Sequence, residues 1–244
     1  ISFVCKIVKR LDLTLLLLPT SLDKTEGATR EHPEIKAISF TGGTQTGRIV
    51  ARTAAPLFKK LSLELGGKNA TIILDDADLE VAAKGAARAG FTNSGQVCLC
   101  GSRILVDASV ATKFTELLLK EVRSMRQGDP KSEDTEIGSV ISMQHLEKVE
   151  SYVELAKQEG GTILTGGKRP SFSNEEMNHG AFLEPTVIGG LDINSRTATE
   201  EIFGPVVTLH TFENQEQAIE MANSTEYGLA GSVWTKDLAR GRQF

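Results

Sequence analysis

A chain of 244 residues, 40% of them hydrophobic, can bury a substantial core as one large domain or two modest ones. The net charge is −5 and the basic residues are scattered, which argues against a nucleic-acid footprint. Cys5, Cys98 and Cys100 are too few for a disulfide framework and fit a reducing, cytoplasmic setting.

Lys6, Lys9 and Arg10 precede the apolar run Leu13-Thr14-Leu15-Leu16-Leu17-Leu18. That run is too short to span a bilayer and no small-residue cleavage site follows it, so it reads as a buried strand or an irregular cut edge rather than a targeting segment. Residues 19–34 are polar and broken by Pro19 and Pro33, a connector with a short helix near Lys24–Glu31. Ile35–Thr41 reads as a strand, Gly42-Gly43-Thr44-Gln45-Thr46-Gly47 as a glycine turn, and Arg48–Ala55 as a helix stopped by Pro56. Lys60–Leu65 and Ala70–Leu74 are further strands.

Asp75, Asp76 and Asp78 open the next helix, Leu79–Phe91, where an N-cap and the positive end of the helix dipole favour carboxylates. Its face of Ala82, Ala83, Ala86, Ala87 and Ala89 allows close approach to its neighbours and delivers the Asn93–Cys100 loop inward. A strand at Arg103–Val106, a helix at Val110–Arg126, a helix at His145–Glu159 and a strand at Thr162–Leu164 follow. Residues 166–180 lack periodicity and read as an exposed loop. Strands at Pro185–Ile188 and Val206–Phe212, a helix at Gln215–Asn223 and a strand at Leu229–Thr235 complete the alternation of an α/β fold with mostly parallel pairing.

Four segments carry candidate chemistry. The glycines from Gly42 to Gly47 let main-chain amides approach a phosphate, or simply make a tight turn; the pattern is neither the dinucleotide fingerprint nor a P-loop, since Arg48 and Ile49 hold its last two places. Cys98 sits on a polar, glycine-flanked loop as a candidate nucleophile, although most free cysteines are small buried hydrophobes. A zinc reading of Cys98-x-Cys100 is poor, because His32, His145, His179 and His210 are each isolated. Glu64 ends a strand before Gly66-Gly67, a place for a general base or for a solvated surface carboxylate. Glu200-Glu201-Ile202-Phe203-Gly204-Pro205 offers carboxylates that could take a ribose hydroxyl pair or only water.

Phe40 through Gly47, Leu63-Glu64-Leu65-Gly66-Gly67-Lys68, Asn93-Ser94-Gly95-Gln96-Val97-Cys98 and Glu200 through Pro205 together resemble the aldehyde dehydrogenase superfamily, in order and in spacing, over residues 31–241. The run Cys98-Leu99-Cys100-Gly101-Ser102-Arg103 further resembles the branch acting on 2-aminomuconic and 2-hydroxymuconic semialdehydes. The resemblance implies a catalytic domain with a parallel-rich sheet flanked by helices, plus the C-terminal part of a Rossmann-like cofactor domain. It divides the chain into residues 1–30, which do not resemble the family, residues 31–65 as the tail of the cofactor domain, and residues 66–244 as a thiol domain truncated at its C-terminus.

It also implies NAD or NADP as cofactor and a small-molecule aldehyde as substrate, with neither nucleic acid nor membrane as partner and a homo-oligomeric full-length form. Cys98 would form a thiohemiacetal and then a thioester, its own amide helping to hold the oxyanion. Glu64 would activate the hydrolytic water. Gly42, Gly43 and Gly47 would lie at the pyrophosphate loop, Gly43 replacing the serine of many relatives. The Leu65 carbonyl would contact the carboxamide, Glu201 would hold the nicotinamide ribose, and Phe203 would pack beside the ring. Two rivals are a coenzyme A-acylating enzyme, which has no need of a base such as Glu64, and an inactive truncated relative that only binds.

Overall fold

The computed structural model describes the main chain of residues 15–17 and all of residues 31–244. The basic residues before Leu13, and all but the last residue of the helix expected near Lys24–Glu31, lie outside the described residues. Two compact units divide the chain, residues 1–66 and residues 67–244.

Among the described residues the first unit holds three parallel strands in the order β1 (Leu15–Leu17), β2 (Ala37–Thr41) and β3 (Lys60–Glu64). Period-two alternation in β2 turns Ile38 and Phe40 inward, where they meet Val50 and Ala54 of helix α1 (Thr44–Ala54). That helix begins four residues before the expected Arg48. Gly43, in extended conformation at φ −65° and ψ 147°, is its N-cap. The segment Thr44–Gly47 is therefore its first turn rather than a loop, and Gly47 is a buried packing position. A Cβ at Gly47 would stand 2.4 Å from Leu65 Cδ2, so glycine is what lets α1 lie against the chain leaving β3.

The second unit is built on six strands: β4 (Ala70–Ile73), β5 (Arg103–Asp107), β6 (Thr162–Thr165), β7 (Thr186–Gly189), β8 (Val206–Phe212) and β9 (Gly231–Trp234). Their order is β6-β7-β8-β5-β4-β9, parallel throughout except where edge strand β6 runs against β7. Alternation sends Ile73, Ile104, Val106 and Val207 to one face, under helices α2 (Leu79–Phe91) and α3 (Ala111–Ser124). Ile72, Leu74, Leu105 and Phe212 go to the other, toward Ala218 and Met221 of a helix at Gln215–Ala222. Strands buried on both faces read as continuous apolar runs, which is why Ala70–Ile73 is buried at every position. The α/β reading holds, with a mixed sheet.

Asp78 caps α2 by accepting from the Val81 amide at 3.3 Å. Helix α4 (Met143–Gln158) lays Leu146, Val149, Val153 and Ala156 against Ile188 and Val206. The expected helix Val110–Arg126 stops at Ser124, because Met125 turns extended and Gln127 bridges to Ile137. The expected loop over residues 166–180 includes one short helical turn, Glu175–Asn178, capped by Asn174.

Candidate active site

In the first unit, β2 and β3 end side by side, with Thr41 paired to Glu64. Parallel pairing thus places the Gly42-Gly43 turn and the exposed Glu64 at the carboxyl end of one sheet, where open α/β sheets bind ligands. The Gly42 amide donates to the Glu64 carbonyl at 3.0 Å, tying the two together. A side chain at Gly43 would meet nothing within 4 Å, and the first turn of α1 carries no acidic residue. The buried Thr44 Oγ1 finds no partner among the described residues. An open glycine edge, an orphan hydroxyl and a helix N-terminus suit a phosphate group.

In the second unit the relevant residues gather at the opposite end of the strands. Gly67–Asn69 lead into β4, Cys98–Ser102 into β5, Glu200–Pro205 into β8 and Leu229–Ala230 into β9. Because these strands are parallel and adjacent, their starts lie alongside one another. Helix α2, with Gly90 tight against Val207, ends at Phe91 and releases the chain into a strained turn. Asn93, Ser94 and Gly95 all have positive φ, at 52°, 56° and 71°. Such strain persists only where the surroundings impose it. Here Ser94 Oγ donates to the Gly138 carbonyl at 2.8 Å, and Gln96 Oε1 accepts from the Ile141 amide at 2.9 Å. Beyond the turn, Cys98 is half-exposed, while Cys100 is buried with its thiol pKa raised by desolvation.

Gly95 lies directly on the Glu200–Pro205 segment: a Cβ there would come 2.0 Å from the Gly204 carbonyl oxygen. We expect Gly95→Ala to destabilise the second unit by about 3 kcal/mol, from backbone strain and overpacking together. A urea midpoint unchanged from that of the parent chain would refute this.

The two carboxylates of that segment have different fates. Glu200 accepts from Tyr152 Oη at 2.7 Å and from the Arg196 fork at 2.8 and 3.1 Å, so it is occupied. Glu201 is half-buried; its Oε1 accepts from the Gly67 amide at 3.0 Å, while no described residue donates to Oε2. That leaves one oriented oxygen for a ligand hydroxyl. Lys148 Nζ and His145 Nε2 donate to the carbonyls of Glu201 and Phe203 at 3.3 and 2.6 Å, fixing the main chain where Phe203 has φ 59°.

Three residues to which the linear sequence assigns no chemical role hold this cluster together. Lys68, 1% exposed, donates from Nζ to the Thr197 carbonyl at 2.9 Å. Burial, with Arg103 nearby, pulls its pKa down to about 7, against the opposing pull of Glu201 and Glu200. Arg103, also 1% exposed, donates to the carbonyls of Lys68, Met221 and Ala222 at 2.8, 2.8 and 2.6 Å. Asn69, 5% exposed, donates to two carbonyls of the cysteine turn. A signal was present: polar Lys68-Asn69 runs straight into a strand buried at every position, and buried polar groups there must have partners.

A family model described as the aldehyde dehydrogenase family matches residues 11–244, beginning upstream of the motifs that first carried the likeness. A 2-aminomuconic 6-semialdehyde dehydrogenase from a Pseudomonas species is 45% identical over 213 residues, covering 87% of this chain and 43% of its own. A betaine aldehyde dehydrogenase from Bacillus subtilis is 45% identical over 207 residues, covering 85% and 42%. A solved structure of betaine aldehyde dehydrogenase from Staphylococcus aureus in complex with NAD+ superposes with a TM-score of 0.86 at 45% identity, covering 89% of this chain and 43% of that one. The chain spans less than half the length of these relatives. The muconic semialdehyde and betaine aldehyde relatives lie at the same identity.

Proposed function

Because the chain belongs to the aldehyde dehydrogenase family, we propose that it oxidises a small aldehyde to its carboxylic acid with NAD(P)+, through a thioester on Cys98. The observation that carries this reading is the half-exposed Cys98 after a strained turn, in the same cluster of strand starts as the Gly67 amide that orients Glu201. The Cys98 sulfur, as thiolate, adds to the carbonyl carbon. The oxygen that becomes negative is held by the Cys98 amide. A bound nicotinamide dinucleotide would supply the hydride acceptor; within the first unit the open glycine edge at Gly43 and the orphan Thr44 hydroxyl suit a phosphate, and within the second unit the open oxygen of Glu201 suits a ribose hydroxyl. Glu64 takes a proton from water, the hydroxide adds to the thioester, and the thiolate leaves with the acid as product.

In this reading residues 31–65 contribute the tail of the cofactor domain, Gly42, Gly43 and Leu65 lining it, and residues 66–244 the thiol domain. Gly47 serves by packing α1 against Leu65. The reading extends to a cytoplasmic homo-oligomer, supported by the sparse cysteines and by the family; no helix among the described residues is long and apolar enough to cross a membrane. The test is product analysis on the full-length chain with NAD+ and a betaine or muconic-type aldehyde. Free acid should form at the same rate with or without coenzyme A. Acyl-coenzyme A as the main product, or no NAD+ binding by calorimetry, would overturn the proposal.

A further inference from the structure

Asn69 stands at the amino end of β4, and its side chain makes three hydrogen bonds to two other segments. Its Nδ2 donates to the Cys98 carbonyl at 2.7 Å and to the Cys100 carbonyl at 3.0 Å, while its Oδ1 accepts from the Ala230 amide at 3.0 Å. The amide orientation is unambiguous, because two carbonyls face the nitrogen and an N–H faces the oxygen. Its main chain is engaged as well: its carbonyl accepts from the Arg103 amide at 3.1 Å, where β4 and β5 begin to pair.

We infer that Asn69 is a positioning residue for the nucleophile, setting the main-chain geometry from which the Cys98 sulfur projects. The inference rests on the reading of Cys98 as the attacking group. Pinning the carbonyl of residue 98 sets the peptide plane that follows it, and pinning the carbonyl of residue 100 sets the far end of the turn. Between them Leu99 is exposed and contributes little restraint. The Cα–Cβ direction of Cys98 then follows from a rigid strand rather than from a mobile loop. The third bond extends the same restraint to the Leu229–Ala230 segment, which borders a cavity of about 750 Å³ within the second unit. Asn69 does not touch the reacting atoms in this arrangement; it acts through the backbone of the turn.

Two variants in the full-length enzyme test this. Asn69→Asp keeps shape and the acceptor for Ala230 but turns an oxygen on two carbonyls. Asn69→Ser keeps one short hydroxyl that can serve a single carbonyl. The single-turnover rate of NADH formation should fall about a hundredfold in Asn69→Asp and by less in Asn69→Ser, as expected for a displacement near 1 Å. KM for aldehyde and for NAD+ should stay within about twofold of the parent, which a general loss of structure would not allow. Folded variants with parental single-turnover rates would overturn the inference, and so would failure of both to fold, which would make Asn69 a purely structural residue. Cys98→Ser measured alongside separates the two levels. If it is inactive while the Asn69 variants are unaffected, only the inference fails; if it remains active, the inference falls with the reading beneath it.

Discussion

Cys98→Ser in the full-length chain is expected to reduce aldehyde-dependent NADH formation by about a thousandfold or more, leaving the fold and NAD+ affinity unchanged. Serine differs from cysteine here by one atom, and Cys98 is half-exposed after its turn, so no cavity forms and no buried hydrogen bond is lost. What disappears is the nucleophile. A hydroxyl supplies almost no anion at neutral pH, whereas a thiol supplies some even without activation and is intrinsically more reactive. The neighbouring thiol offers no substitute, because Cys100 is buried and its pKa is raised by desolvation. Stopped-flow absorbance at the NADH band, with calorimetry for NAD+ binding, checks this. Turnover within tenfold of the parent would remove Cys98 from the mechanism.

Glu64→Gln should separate the two halves of the reaction. Glutamine keeps the size and hydrogen-bonding length of the side chain but cannot accept a proton from water. Loss of a general base costs about a hundredfold to ten-thousandfold in the step it serves. Thioester hydrolysis should slow by that order, while a pre-steady-state burst of NADH stoichiometric with Cys98 persists. Loss of the burst together with turnover would place Glu64 in the first half-reaction instead. The side chain is exposed at the end of β3 and the main-chain bond from the Gly42 amide to the Glu64 carbonyl survives the substitution, so a large drop in thermal stability is not expected.

Local pattern carried far in this chain where one element decides its own form. The helix Leu79–Phe91 and the strand Val206–Phe212 have the ends that capping and periodicity set, because Asp78 and the apolar alternation act within a few residues. The helix after the glycine turn began earlier than its composition suggested. Gly43 accepts the extended cap conformation and Thr44 through Gly47 wind at once, a choice stabilised by Val50 and Ala54 packing on β2 rather than by propensity.

The reactive groups and their order are written along the chain: a glycine edge, Glu64, a loop thiol at Cys98 and the paired carboxylates Glu200 and Glu201. Folding selects which of the pair is spent, Glu200 on Tyr152 and Arg196, and which keeps an open oxygen, Glu201 on the Gly67 amide. It also turns Lys68 and Asn69, which carry no chemical role in the linear order, into anchors of the site. The reason is distance along the chain. The Gly67–Glu201 bond spans 134 positions and the Ala230–Asn69 bond 161, and they form because parallel neighbours β4, β5, β8 and β9 all begin at one edge of a sheet. No local periodicity encodes that adjacency; the register of the assembled strands does.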